Sequence, residues 1–197
     1  MEFLKFLLAL FRGQKSIADI NVNEMFRPAA ITLGSASIAI GLLYSYIGAV
    51  SFWNDKLDWK DFFTGLVKNI PLVAVSFALV VGLLFLFFTV LKIDKDWKFF
   101  VVHTAIMFLA VLPFLLLALI FSSNVTLSVV FGQVSSIVPF LYLFWFLSNE
   151  REIAIIRVFW GVVSLSILMS ATFNLLGVNP FSITTINTIK TILGNIF

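Results

Sequence analysis

Cysteine is absent from the 197 residues. Its absence excludes disulfides, thiolate metal sites, cysteine nucleophiles and S-palmitoylation. Charge is scarce, at 12% of residues, where a soluble domain carries about 25%. Histidine occurs once, as His103, and a lone imidazole without clustered carboxylates does not make a metal site. No Asp or Glu falls inside the long apolar runs, so a proton relay buried in the membrane lacks its acidic partners. The serines have no base placed to activate them, and neither an HExxH pair nor a phosphate-cradling glycine loop occurs. The expectation is a chain without enzymatic activity, cofactor or metal. The net charge of +3 is small and sits in a few loops. It reads as a topology signal and not as a nucleic-acid surface, so no direct nucleic-acid contact is expected.

What the chain has is apolar length. Hydrophobic residues make up 61% of it, with 24 phenylalanines. Five runs approach or exceed the roughly 20 residues needed to cross about 30 Å of hydrocarbon. They cover about 28–53, 70–91, 99–121, 125–147 and 153–176. The expected fold class is all-α: a polytopic integral membrane protein, a bundle of five transmembrane helices flanked by amphipathic N- and C-terminal helices. The third and fourth runs are separated only by "SSNV" and must form a tight antiparallel hairpin. Between the first two, "WNDKLDWKDFF" sets Trp53 and Trp59 among alternating charges, which fits a short interfacial helix with an aromatic anchor.

The ends differ from the middle. Segment 1–27 opens with "MEFLKFLLALFRGQKS". It has no signal-peptide cleavage pattern, and places Lys5 and Arg12 opposite a broad apolar face. With Lys15 it reads as a basic amphipathic segment on the membrane surface, or as a partner-binding helix. The bundle then occupies 28–178. Segment 179–197 carries Ser182 as an N-cap after Pro180. It alternates an isoleucine face with a threonine and asparagine face, and is too short to span comfortably, so it reads as an in-plane or re-entrant helix.

Orientation follows from the basic residues. With the N-terminus cytoplasmic, nine (Lys5, Arg12, Lys15, Arg27, Lys92, Lys95, Lys98, Arg151, Arg157) lie inside and four (Lys56, Lys60, Lys68, Lys190) outside. That asymmetry favours a multi-pass inner (plasma) membrane protein with its C-terminus outside.

Within the spans four features stand out. His103 lies about 7 Å along the helix from Lys98, near the headgroup boundary, where its ring can reach water, a phosphate or a helix neighbour. A pH-sensing or ligand-binding role is the alternative. Pro113 removes a backbone donor in the same run and is expected to kink it. In the first span Ala30, Gly34, Ser37 and Gly41 share a small-residue face, suited to close helix packing within the chain or between copies. Deep polar groups gather in the last two spans: Gln133, Ser135 and Ser136 in the fourth, and Ser166, Ser170 and Asn174 at i, i+4, i+8 in the fifth. Such groups need partners away from lipid. They could join the two spans or line a polar path in an oligomer.

The order "IMFLAVLPFLLLALIF", a minimal turn, a glycine-containing span and then "YLFWFLSNEREIAIIRVFWGVVSLSIL", over about 99–170, resembles the Yip (Rab-interacting membrane protein) superfamily. The resemblance implies a non-enzymatic five-helix bundle that binds proteins or lipids. The tyrosine-glycine signature of its better-studied members is absent, so no trafficking role and no functional residue is carried over.

Two functions follow as expectations. The first is an inner-membrane accessory or anchor protein, set in the lipid bilayer, that binds or regulates a partner such as a co-encoded soluble protein through its basic N-terminal helix and inner loops, and forms a homo-oligomer. The second is a pore-forming or membrane-perturbing effector of an antiphage or CRISPR-associated defence system. A transporter is a distant third, because inverted repeats and paired interrupted helices are not evident.

Overall fold

The computed structural model describes residues 20–49, 57–93, 95–121, 124–148, 155–177 and 179–181. The amphipathic segments expected at the two ends fall outside these apart from 20–27 and 179–181, and so do Lys5, Arg12 and Lys15. The chain is all-helical across the described residues, with five helices: α1 (Val22–Ala49), α2 (Trp59–Val90), α3 (Trp97–Ile120), α4 (Val125–Ser148) and α5 (Ile155–Leu176). All five are long and apolar enough to cross a membrane. The protein is a multi-pass helical membrane protein by length and composition.

Among the described residues α1, α2 and α4 begin where the sequence offers a polar side chain to the first turn. Asp58 accepts from the backbone N–H of Lys60 at 2.8 Å and of Asp61 at 3.1 Å, and so starts α2. Asn124 does the same for α4, accepting from Leu127 N–H at 3.2 Å. At α1, Asn21 donates to Glu24 at 2.7 Å, and Glu24 lies in the first turn, where the helix dipole favours a negative charge. α2 ends in a Schellman motif. Ile93 N–H reaches Phe88 O and Lys92 N–H reaches Thr89 O, both at 3.0 Å. Lys92 holds the left-handed position at φ 60°, where glycine is the unstrained residue. Gly177 occupies the equivalent place after α5, at φ 68°.

Two expectations are corrected. The first span begins at Val22, six residues before Pro28, so that proline lies inside α1. The charged stretch from Trp59 is not a separate interfacial helix. It is the first part of α2, one helix of 32 residues with Pro71 inside it. Hydropathy breaks at Lys68 and Asn69, but the helical hydrogen bonding does not, because the Asp58 cap nucleates the helix further upstream.

The chain divides into two compact units. The first holds the described residues up to Ala105, together with 173–177. Here α1 runs along α2. Burial on α2 follows one stripe, Val73, Ser76, Phe77, Val80, Leu84 and Phe88, at the three- and four-residue spacing of a single helix face. The start of α1 meets the start of α3 instead: Phe26 and Trp97 pack edge to face at 4.9 Å, and Lys98 Nζ donates to Asn23 at 3.4 Å. The second unit holds 106–172 and 179–181. It contains the hairpin of α3 and α4 that the short connection demands. Ser128 Oγ donates across it to Ala118 O at 2.9 Å, and Phe121 stacks on Phe131 at 5.6 Å.

Candidate functional site

The polar groups inside these apolar helices form the candidate site. They divide into those that hold helices together and those that face outward.

The best-formed group lies between α1 and α2. Asn69 Nδ2 donates to Ser45 Oγ at 3.1 Å, and Ser45 Oγ donates to Gly41 O at 2.7 Å. Glycine on each helix makes the approach possible. A Cβ at Gly41 would lie 2.6 Å from Ile70 Cγ1 and 2.8 Å from Ile70 Cα. A Cβ at Gly65 would lie 3.1 Å from Ser45 Cβ. Small residues thus bring two backbones together, and an amide–hydroxyl bond is made in the gap. The expected small-residue face is split by this geometry. Ser37 and Gly41 are buried, whereas Ala30 and Gly34 are exposed and a Cβ at Gly34 would meet nothing within 4 Å. The reason is that α1 changes neighbours along its length, meeting α3 at Phe26 and α2 at Gly41. A face that is uniform in sequence is therefore not uniform in surroundings. Asn69, Ser45 and Gly65 were not singled out from the sequence. The signal was there, since Gly41/Ser45 and Gly65/Asn69 repeat the same four-residue spacing on consecutive helices.

Of the neighbours open to His103, the structure gives it a helix neighbour. His103 lies near the start of α3, but the residue is only 3% exposed and is packed inside the protein. Its ring lies 4.0 Å from that of Phe99. Phe99 in turn carries Lys95 Nζ at 5.4 Å from its centroid and contacts Phe88 and Phe100 at 6.0 and 5.3 Å. The imidazole thus closes an aromatic cluster built by the end of α2 and the start of α3. Among the described residues no group of three His, Cys, Asp or Glu gathers.

The deep polar residues of the last two spans differ in exposure and in what their hydroxyls bond. Gln133, Ser170 and Asn174 are exposed. Ser136 and Ser166 are half-buried, and their hydroxyls donate back to their own helices, to Gln133 O and Val162 O, each at 2.7 Å. Ser135 is buried and donates to Gly132 O at 2.7 Å. Among the described residues of this unit Ser128 makes a hydroxyl bond between helices, to Ala118 O, and it was not singled out from the sequence.

No family model matches the chain, and no curated protein or solved structure matches it.

Proposed function

We propose that the protein is a non-enzymatic anchor or accessory protein of the inner membrane, with its N-terminus cytoplasmic and its C-terminus outside, that self-associates and holds a soluble protein partner. The observation that carries this reading is the outward placement of Gln133. It lies about 12 Å along α4 from Val125, in an exposed stripe with Val130, Ile137, Leu141 and Trp145. A primary amide facing hydrocarbon has no hydrogen-bond partner there. The same residue on a second copy supplies one, with both donor and acceptor. Lys5, Arg12 and Lys15 then offer the partner a basic surface at the membrane. The Yip-like order of features over 99–170 fits the same class of role.

The outward polar groups also support a second reading, in which Gln133, Ser170 and Asn174 of several copies line a pore. Ser136 and Ser166 argue against a generous lining, because their hydroxyls are engaged on their own helices. Such a pore would discriminate weakly between ions, having no ring of charge.

Reconstituted liposomes separate the two. The anchor reading expects no ion or dye flux, with and without a co-encoded partner, and a loss of oligomeric mass in Gln133→Leu. Flux through the unaltered protein that Gln133→Leu reduces would transfer the proposal to the pore. An unchanged oligomeric mass in Gln133→Leu would remove Gln133 from the contact.

A further inference from the structure

The first turns of α2 carry an apolar surface that the span itself does not need. From Ile70 to Val90 the helix rises about 31 Å, which already matches the hydrocarbon thickness of about 30 Å. The turns from Trp59 to Asn69 add about 16 Å more. One face of this extension packs on α1, through Gly65 and Asn69. Phe62 and Leu66 are half-buried, and most of the exposed residues fall in two stripes. Trp59, Phe63 and Val67, at successive four-residue steps, are 62%, 58% and 80% exposed. Beside them Lys60, Thr64 and Lys68 form an exposed polar stripe with the same spacing. The rings of Trp59, Phe62 and Phe63 are mutually packed, at 5.6 to 6.1 Å, so the aromatic stripe is a formed surface and not three separate side chains.

We infer that this extension is a lipid-interface anchor, in which Trp59, Phe63 and Val67 are sunk at the headgroup–acyl boundary while Lys60 and Lys68 engage lipid phosphates. Two observations select the bilayer as the occupant. Tyr46, 53% exposed, lies at the same end of the α1–α2 pair, since its neighbour Ser45 meets Gly65. Tyrosine and tryptophan together at one level are the signature of a membrane–water boundary. The two lysines supply the charge that a phosphate layer attracts.

Geometry then sets the pose. An upright α2 would carry Trp59 past a headgroup layer about 5–8 Å deep and into water. Tilting the whole helix, about 48 Å long, by about 40° reduces its projection to about 37 Å, which fits the hydrocarbon plus one headgroup layer. Pro71 lies at the junction of extension and span. It leaves the carbonyl of Val67 without its helical N–H, so a bend there lowers the tilt that is required.

The absence of cysteine makes the test direct, because any introduced thiol is unique. Single cysteines at Asp61→Cys, Phe63→Cys, Thr64→Cys and Val67→Cys are labelled with a membrane-impermeant maleimide in nanodiscs holding one chain each. The expected result is labelling at 63 and 67 about tenfold slower than at 61 and 64, the factor that corresponds to about 1.4 kcal/mol. Native Trp59 gives a second reading in a protein whose other tryptophans are phenylalanine, where brominated lipid should quench its emission. Equal labelling rates at all four positions, with unquenched Trp59, would overturn the inference. Protection that appears only when several copies share a disc would assign the stripe to a second copy instead. Adding an anionic phospholipid should strengthen the protection, and Lys60→Gln with Lys68→Gln should abolish that increment. No response to anionic lipid would remove the lysines from the anchor.

Discussion

Gly41→Ala is the smallest change that tests how α1 and α2 approach. The added methyl would meet Ile70 at 2.6 Å from Cγ1, 2.8 Å from Cα and 2.9 Å from N. Carbon atoms rest at about 3.5–4.0 Å, so the helices must part locally by several tenths of an ångström. Rotating the Ile70 side chain relieves only the first of these contacts, because the other two are backbone. Such overpacking costs about 1–3 kcal/mol. Parting the helices also stretches the Asn69–Ser45 bond one turn away, at about 0.6 kcal/mol for an average hydrogen bond between membrane helices. Against this, alanine is the better helix former, by up to about 1 kcal/mol in water. Gly34→Ala supplies the reference for that gain, since its methyl would enter open space. The expected outcome is Gly34→Ala as stable as the unaltered protein or slightly more so, with Gly41→Ala less stable than Gly34→Ala by about 1–3 kcal/mol. Unfolding in mixed micelles, followed by tryptophan fluorescence, measures both. Adding Ile70→Ala to Gly41→Ala should restore only part of the loss. Equal stability of the two alanine variants would refute the close approach. Complete rescue by Ile70→Ala would show that the conflict is with a side chain and not with backbone.

Two further expectations follow from the described geometry and the basic-residue asymmetry. A double-mutant cycle of Ser45→Ala and Asn69→Ala should give a coupling of about 0.6 kcal/mol. Additive effects would show that the 3.1 Å contact contributes nothing to stability. A reporter active only in the cytoplasm, fused after Phe197, should be silent. Strong activity there would invert the proposed orientation or change the number of crossings.

The helices were legible because crossing a membrane demands uninterrupted apolar length, and five runs supply it. Ends were less legible. Pro28 read as the start of the first span, yet it lies inside a helix, as Pro71 does, since a proline removes one N–H without obliging the chain to leave the helix. The stretch around Trp59 read as a short interfacial helix separate from the span, because charge and aromatic residues alternate there, whereas the Asp58 cap starts one helix that runs on into the span. Residue types told where polar groups fall but not what they face. Gly34 and Gly41 lie on one face of the same helix, and only the arrangement of neighbours separates an open surface from a backbone contact. His103 shows the same limit. Its distance from Lys98 fixes its place along α3, whereas its burial depends on Phe99 and on the cluster that joins α2 to α3.

The prolines give the helices unequal mechanical character. α1, α2, α3 and α4 carry Pro28, Pro71, Pro113 and Pro139, whereas α5 runs from Ile155 to Leu176 with none. Each proline takes one rung from the hydrogen-bond ladder, leaving a compliant point in an otherwise stiff rod. A helix in a bilayer of mismatched thickness responds by tilting, bending or deforming the lipid. Four of these helices can respond by bending at a fixed residue, while α5 has no such hinge and must tilt as a unit. A change in bilayer thickness would therefore be taken up unequally, as flexure in α1 to α4 and as rotation in α5.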